Sequence, residues 1–260
     1  MFAPDGPGRF LPRQLGRGPW DPRAMHGGAP AALIAGVFEG LEADSGLPIA
    51  RLSYDFVRPI PIAPLQLSTR VVRAGRRVIE LAAELHADDQ VVCSARALRV
   101  AAASPLRPEE SAAADDPPLI GPEHGRPHAF TLDDSQATGF AAAMEMRWIE
   151  GELGPGPSAL WMRLRPELLA GTPTTPLARL AATADFGNGV AAPVTWGGFL
   201  FVNADLTIYL HRPPRGEWIG MRSQTHVDPG GAALAESRLY DESGPVGRSL
   251  QSLVLERRES

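Results

Sequence analysis

Residues 203–214 read NADLTIYLHRPP, an alternation of apolar and polar side chains that predicts a half-buried strand, interrupted by two polar residues, Asn203 and Asp205, and stopped at Arg212-Pro213. Residues 54–61, YDFVRPIP, end in the same way at Arg58-Pro59. Proline has no N–H to give to a strand ladder, so both strands are expected to stop pairing there. Superimposing the two Arg-Pro pairs also brings Asp89-Gln90-Val91 onto Gly244-Pro245-Val246 with about one residue of slippage. Identity between the halves is low, but their punctuation agrees, and the chain reads as two copies of one unit.

The remaining elements fit that repeat. In the first copy a largely buried helix of about four turns opens at HGG, residues 26–28, and runs through PAALIAGVFEGLE. Four extended segments follow, at residues 50–59, 64–74, 77–87 and 91–101, separated by hairpin-type turns. The second copy has short strands near residues 143–149 and 159–164 and a helix near 177–187. Strands near 200–211, 217–227, 232–240 and 246–256 complete it. The Pro-, Ala- and acid-rich stretch SPLRPEESAAADDPPLIGPEHG, residues 104–125, lacks an apolar period and is expected to be a linker. The expected division is therefore 1–103, 104–125 and 126–260, with an α+β unit on each side of the linker. A helix on one face of a curved antiparallel sheet, present twice, implies two sheets side by side with a shared cleft.

Composition narrows the function. With 260 residues, 44% of them hydrophobic, the chain can bury a substantial core. The longest apolar stretch, near residues 31–38, is too short to span a bilayer, and the N-terminus lacks the pattern of a secretory signal. A cytoplasmic protein without a membrane span is expected. The single cysteine, Cys93, cannot form an internal disulfide and belongs to no zinc-type cluster, so no metal or other cofactor is expected. The net charge of -5 and the absence of a basic run argue against nucleic-acid binding. Every basic residue is Arg, which suits anionic small molecules. No Gly-x-Ser-x-Gly elbow, phosphate loop or dinucleotide fingerprint is present.

Five blocks, MHGGAPAALIA, DFVRP, TADFGN, NADLTIYLHRPPRGEWIG and VGRSLQSLVLERR, taken in this order and spacing, resemble the double-hotdog acyl-CoA thioesterase II family. The resemblance covers nearly the whole chain. It implies a double hotdog, two tandem units each with a long helix wrapped by a curved antiparallel sheet, and hydrolysis of a fatty acyl-CoA to free acid and CoA. It also implies a catalytic trio: Asp185 in TADFGN, Gln251 in SLQSL and, counted back from the HRP motif, Asn203 where the family carries Thr or Ser. Asn still offers a donor and an acceptor to a water, but lacks a rotatable hydroxyl.

Direct attack of water on a thioester requires a proton acceptor, groups that aim the water, and donors for the developing oxyanion. Asp185 is the expected acceptor, and Asn203 and Gln251 the expected orienting carboxamides. The amides of His26, Gly27 and Gly28 at the first helix start are expected to touch the substrate, with a packing role for the glycines as the competing explanation. Asp205 is expected to pair with His211, Arg212 or an amide, and His211-Arg212 to be structural. Glu39 falls near the repeat-equivalent of Asp185, but Arg96 occupies the place equivalent to Gln251, so one site per chain is expected. Two other functions stay open: hydration of an enoyl-CoA, against which stands the lack of an Asp-His pair in TADFGNGV, and acyl-CoA binding without turnover. Exposed sheet edges lead us to expect a homodimer.

Overall fold

A computed structural model of the chain describes residues 1–102, 116–127 and 139–258. Two halves of like topology share one antiparallel sheet. In the first, a short hairpin, β1 (Phe2–Pro4) and β2 (Arg9–Pro12), precedes helix α1 (Gly28–Gly40). Strands β3 (Ile49–Phe56), β4 (Leu65–Ala74), β5 (Val78–Ala87) and β6 (Gln90–Val100) follow. In the second, β7 (Arg126–Pro127), β8 (Met144–Glu150) and β9 (Ser158–Leu164) precede helices α2 (Pro176–Ala184) and α3 (Gly187–Val190). The chain then runs through β10 (Phe199–Asn203), β11 (Asp205–Leu210), β12 (Ile219–Val227), β13 (Ala232–Asp241) and β14 (Gly244–Arg257).

The strand order is β1-β2-β4-β5-β6-β3-β11-β14-β13-β12-β9-β8-β7, with β10 also on β14. The order β3-β6-β5-β4 on one side is repeated as β11-β14-β13-β12 on the other, so the duplication read from the Arg-Pro punctuation is present in three dimensions. The two halves are not separate sheets facing a cleft, as the sequence led us to expect. Their edge strands β3 and β11 pair directly, with Leu206 opposite Tyr54 and Ile208 opposite Leu52, and all four of these side chains are fully buried. Joining there removes two open edges and lets one hydrophobic core extend through both copies.

Further differences from the sequence reading concern single elements. The β1–β2 hairpin was not expected; it adds to β4 beside Leu65 and Gln66 and is the counterpart of β8–β9. The strand expected as one piece over 200–211 is broken at Ala204, whose N–H donates to Ser252 O and whose carbonyl accepts from Phe56 N. The second helix ends at Ala184, with Asp185 as its C-cap, and α3 begins two residues later. Of the expected linker, residues 104–115 lie outside the described residues. Its final part is docked: Leu119 packs with Trp161 and Tyr240, and Trp161 Nε1 donates to Ile120 O at 2.6 Å.

Helix α1 is buried from Gly28 through Ala35 and again at Phe38, as its nearly uniform apolar composition demands. Helix α2 starts with Thr175, whose hydroxyl accepts from Ala178 N at 3.2 Å, and has Pro176 in its first turn, where no N–H is needed. The helices pack antiparallel. Thr175 at the start of α2 donates to Glu39 near the end of α1, while Gly28 at the start of α1 lies against the Ala182 carbonyl near the end of α2. At the far end of α1, Arg99 donates to the carbonyls of Phe38, Glu39 and Leu47 at 2.6 to 3.0 Å, closing a helix C-terminus with a cation. Tyr54 donates to Ala31 O at 3.1 Å and ties β3 to α1. No helix among the described residues is long and apolar enough to cross a membrane.

Candidate active site

Where the N-terminus of α1 meets the C-terminus of α2, three of the expected site residues converge on the carboxylate of a fourth. Asp185 is 3% exposed. Its Oδ1 accepts from Asn203 Nδ2 at 2.9 Å and from Gln251 Nε2 at 3.4 Å. Its Oδ2 lies 2.8 Å from His26 Nδ1. Asn203 reaches Asp185 because the break at Ala204 separates β10 from the β3–β11 pairing and carries it along β14 only, with Asn203 opposite Leu253. The same Nδ2 donates to Asp205 O at 3.2 Å, which fixes the carboxamide.

Gln251, expected to orient the water, bonds the backbone and carboxylate at the α2–α3 junction. It is 1% exposed and does not line the cavity beside Asp185. Its Nε2 donates to the backbone carbonyl of Asp185 at 3.3 Å, and its Oε1 accepts from Asn188 N at 3.0 Å. Both ends of the carboxamide are thus spent holding the α2–α3 junction. Glycine is required at 187 for this contact, since a Cβ there would fall 2.8 Å from both Gln251 Oε1 and Ser237 Oγ. Ser158 and Thr225 hold the far end of α3 by donating to the carbonyls of Val190 and Ala191 at 2.7 and 2.6 Å.

The polar group opens onto a cavity of about 550 Å³. Asp185, Asn203, His26 and Gly27 stand on its wall, and the rest is largely apolar and aromatic, including Trp20, Phe56, Phe140, Trp196 and Phe201. Trp20 stacks on Trp196 at 5.1 Å and meets Phe201 edge-on at 5.0 Å. Arg17 and Arg58 also border the cavity. Of the three residues expected to contact substrate through their amides, Gly27 has an N–H with no acceptor among the described residues. The Gly28 N–H instead donates to His26 Nδ1 at 3.1 Å, and Gly28 does not border the cavity. Packing does constrain both glycines: a Cβ on Gly27 would lie 2.9 Å from Asp185 Oδ2, and one on Gly28 2.7 Å from Ala182 O.

The sequence reading missed the imidazole of His26. An Asp-His pair is absent from TADFGNGV, yet the structure supplies one, with the histidine coming from the other half of the chain. The ring packs against Phe186, at 4.4 Å, and Phe140, at 4.9 Å, which themselves stack at 5.6 Å, so the three rings form one cluster. An exposed histidine has no reason to be flanked by aromatic faces, but only the fold brings these three together. The aromatic wall of Trp20, Trp196 and Phe201 was likewise not singled out.

Neighbouring polar residues are structural. Asp205 Oδ1 accepts from Ser252 N at 2.6 Å, stitching the strand break. Arg212 clasps both oxygens of Asp241 at 2.6 and 2.7 Å. Burial would raise the Asp241 carboxyl, but Arg212 and the Ser243 and Arg215 amides bring it below the usual range. Burial pushes the Cys93 thiol up to about 12, with Asp55 and Asp185 adding to the effect, so it holds its proton and is no nucleophile. At the place related to Asp185 by the duplication, Glu39 is raised by burial despite its Thr175 bond and the nearby Arg99; Arg99 occupies that helix end.

Helix pair, continuous sheet and cavity together define a double-hotdog protein. Solved structures agree. The chain is 24% identical to a candidate thioesterase from Novosphingobium aromaticivorans, with 98% of each chain covered and a TM-score of 0.72. It is 21% identical to a candidate thioesterase II from Thermobifida fusca, covering 99% of this chain and 96% of that one, with a TM-score of 0.73. Acyl-CoA thioesterase II TesB2 from Mycobacterium marinum is 16% identical over 91% of each chain, with a TM-score of 0.63. These likenesses show the fold. No curated protein matches the sequence. Residues 16–100 match the acyl-CoA thioesterase N-terminal domain and residues 115–255 the acyl-CoA thioesterase C-terminal domain, so the chain belongs to the acyl-CoA thioesterase family and is a thioesterase.

Proposed function

We propose that the protein hydrolyses a fatty acyl-CoA to the free acid and CoA by direct attack of water at the wall formed by Asp185 and Asn203. The observation that carries this proposal is the concentration of polar groups at one point of an otherwise aromatic cavity. The acyl chain would lie against the apolar wall, placing the thioester carbonyl beside Asp185. Asn203 has its donor committed to Asp185 and Asp205, which leaves its carbonyl oxygen to aim the water. The Gly27 N–H, at the positive end of α1, is placed to receive the oxyanion. Gln251 contributes by fixing the backbone and carboxylate of Asp185.

The test is release of free thiol from saturated acyl-CoAs of graded chain length by the purified protein. Release that vanishes in Asp185→Ala is expected. Tight binding of acyl-CoA without release would overturn hydrolysis in favour of passive binding. The His26–Asp185 pair specifically favours a second function, hydration of an enoyl-CoA. Loss of the enoyl absorbance with no thiol released would establish that reaction in place of the first.

A further inference from the structure

We propose that His26 is the general base of the hydrolysis and that Asp185 acts by holding it; this rests on the thioester hydrolysis proposed above. Asp185 is the more deeply placed of the two, and both its oxygens are engaged: Oδ1 by Asn203 and Gln251, Oδ2 by His26. A water that gave its proton to Asp185 would have to compete with these donors. His26 meets no such competition. Only its Nδ1 is engaged, whereas Nε2 has no hydrogen-bond partner among the described residues and is not sealed from solvent. His26 borders the cavity together with Asn203, so a free imidazole nitrogen and a free carboxamide oxygen flank the same carboxylate.

Two groups approach Nδ1: the Gly28 N–H donates to it at 3.1 Å, and Asp185 Oδ2 lies 2.8 Å away. The carboxylate, nearer and charged, is the partner that prevails in catalysis: a bare imine nitrogen and a carboxylate oxygen would repel at that distance, so the working tautomer carries its proton on Nδ1 and gives up the Gly28 contact. Nε2 then carries the lone pair, on the side away from the carboxylate. Phe186 and Phe140 pack against the imidazole and support it in this position. An aspartate that fixes the tautomer, with the distal nitrogen left as base, is the arrangement used to activate oxygen nucleophiles in unrelated hydrolases.

The step balances with water alone. The water oxygen forms a bond to the thioester carbonyl carbon as one of its protons passes to Nε2, giving an imidazolium stabilised by Asp185 and a tetrahedral oxyanion. When the oxyanion collapses, the carbon–sulfur bond breaks, and Nε2 returns the proton to the departing thiolate. The products are the carboxylic acid and the CoA thiol, and His26 is restored. The duplication explains why this happens once per chain. At the related junction the carboxylate of Glu39 meets the hydroxyl of Thr175, which fills the place of the imidazole and cannot take up a proton at neutral pH.

His26→Gln and His26→Ala separate a base from a mere spacer. Gln keeps a donor for Asp185 Oδ2 but has no basic nitrogen; Ala leaves a hole beside the two phenylalanine rings. Thiol release is measured with the saturated acyl-CoA that the wild-type protein turns over fastest, with and without added imidazole, and folding is checked by thermal melting. Both variants are expected to lose about 10²–10⁴-fold in kcat with little change in KM. Imidazole is expected to restore part of the loss in His26→Ala and none in His26→Gln. Activity of His26→Gln within about threefold of wild type would overturn the proposal and leave His26 as a spacer for Asp185. A folded His26→Ala that imidazole does not rescue would also overturn it. Absence of thiol release from the wild-type protein would instead remove the hydrolysis itself, an outcome distinct from either.

Discussion

His26 Nδ1 and Asp185 Oδ2 lie 2.8 Å apart although they belong to different copies of the repeat. The candidate active site is therefore shared between the halves, and its carboxylate should be indispensable to the proposed hydrolysis. Asp185→Asn preserves shape but neither holds the imidazole tautomer nor stabilises its cation. It is expected to lower kcat by about 10²-fold or more with little effect on thermal stability. Thiol-release kinetics alongside thermal melting checks both parts.

In the proposed mechanism Gln251 supports rather than reacts, so its loss should be felt in stability as well as rate. Gln251→Leu leaves the buried Asn188 N–H without its acceptor. A loss of about 1–3 kcal/mol in urea unfolding is expected. The rate should fall by less than in Asp185→Asn. A stability unchanged within error would contradict the supporting role.

Gly27→Ala puts a methyl group 2.9 Å from Asp185 Oδ2 and 3.0 Å from the Phe56 ring. The carboxylate must shift, and the His26 contact shifts with it. A drop of about tenfold or more in kcat is expected, since small displacements of an activating group are costly. Steady-state kinetics on a variant shown to be folded provides the check.

Glu145 bonds Arg163 at 2.6 Å, Arg165 at 2.5 Å and Arg147 at 3.0 Å. Arg163 contributes most to holding its carboxyl down at about 2, against an ordinary 4.5, with burial opposing. A depressed carboxylate adds stability above its unfolded pKa and loses it as pH falls through the folded value. Glu145→Gln is therefore expected to destabilise at neutral pH by about 1–3 kcal/mol, a difference that shrinks between pH 4.5 and about 2. Urea midpoints across that range measure it.

Cys93 is fully buried. With its thiol pushed up to about 12, it should resist an aromatic disulfide reagent in the native state and react at once after denaturation. Native-state labelling would contradict its placement. The same inertness keeps the protein's own thiol out of an assay that follows CoA release.

Much of the architecture is legible because strand alternation and Arg-Pro stops are local signals. The segments expected at 64–74 and 77–87 differ from β4 and β5 by a residue at most. Asp185, Asn203 and Gln251 could be brought together by family resemblance before any coordinates. The β1–β2 hairpin was harder to see, because three- and four-residue strands carry too few side chains to show a period, although the DGPG turn between them is a signal. The break at Ala204 was hidden because it is held by Phe56 and Ser252, residues distant in sequence. The pairing of β3 with β11 is invisible for a related reason: alternation says which face is buried, not which edges join. His26 was read through its backbone because its Asp and Phe partners lie in the other half.

The plugging of one helix end by Arg99 has an evolutionary meaning. Two identical subunits must carry every substitution twice, so a change that seals one pocket seals its twin. Tandem copies on a single chain escape that symmetry. Here the first copy's helix terminus is held by Arg99, while the second borders the cavity.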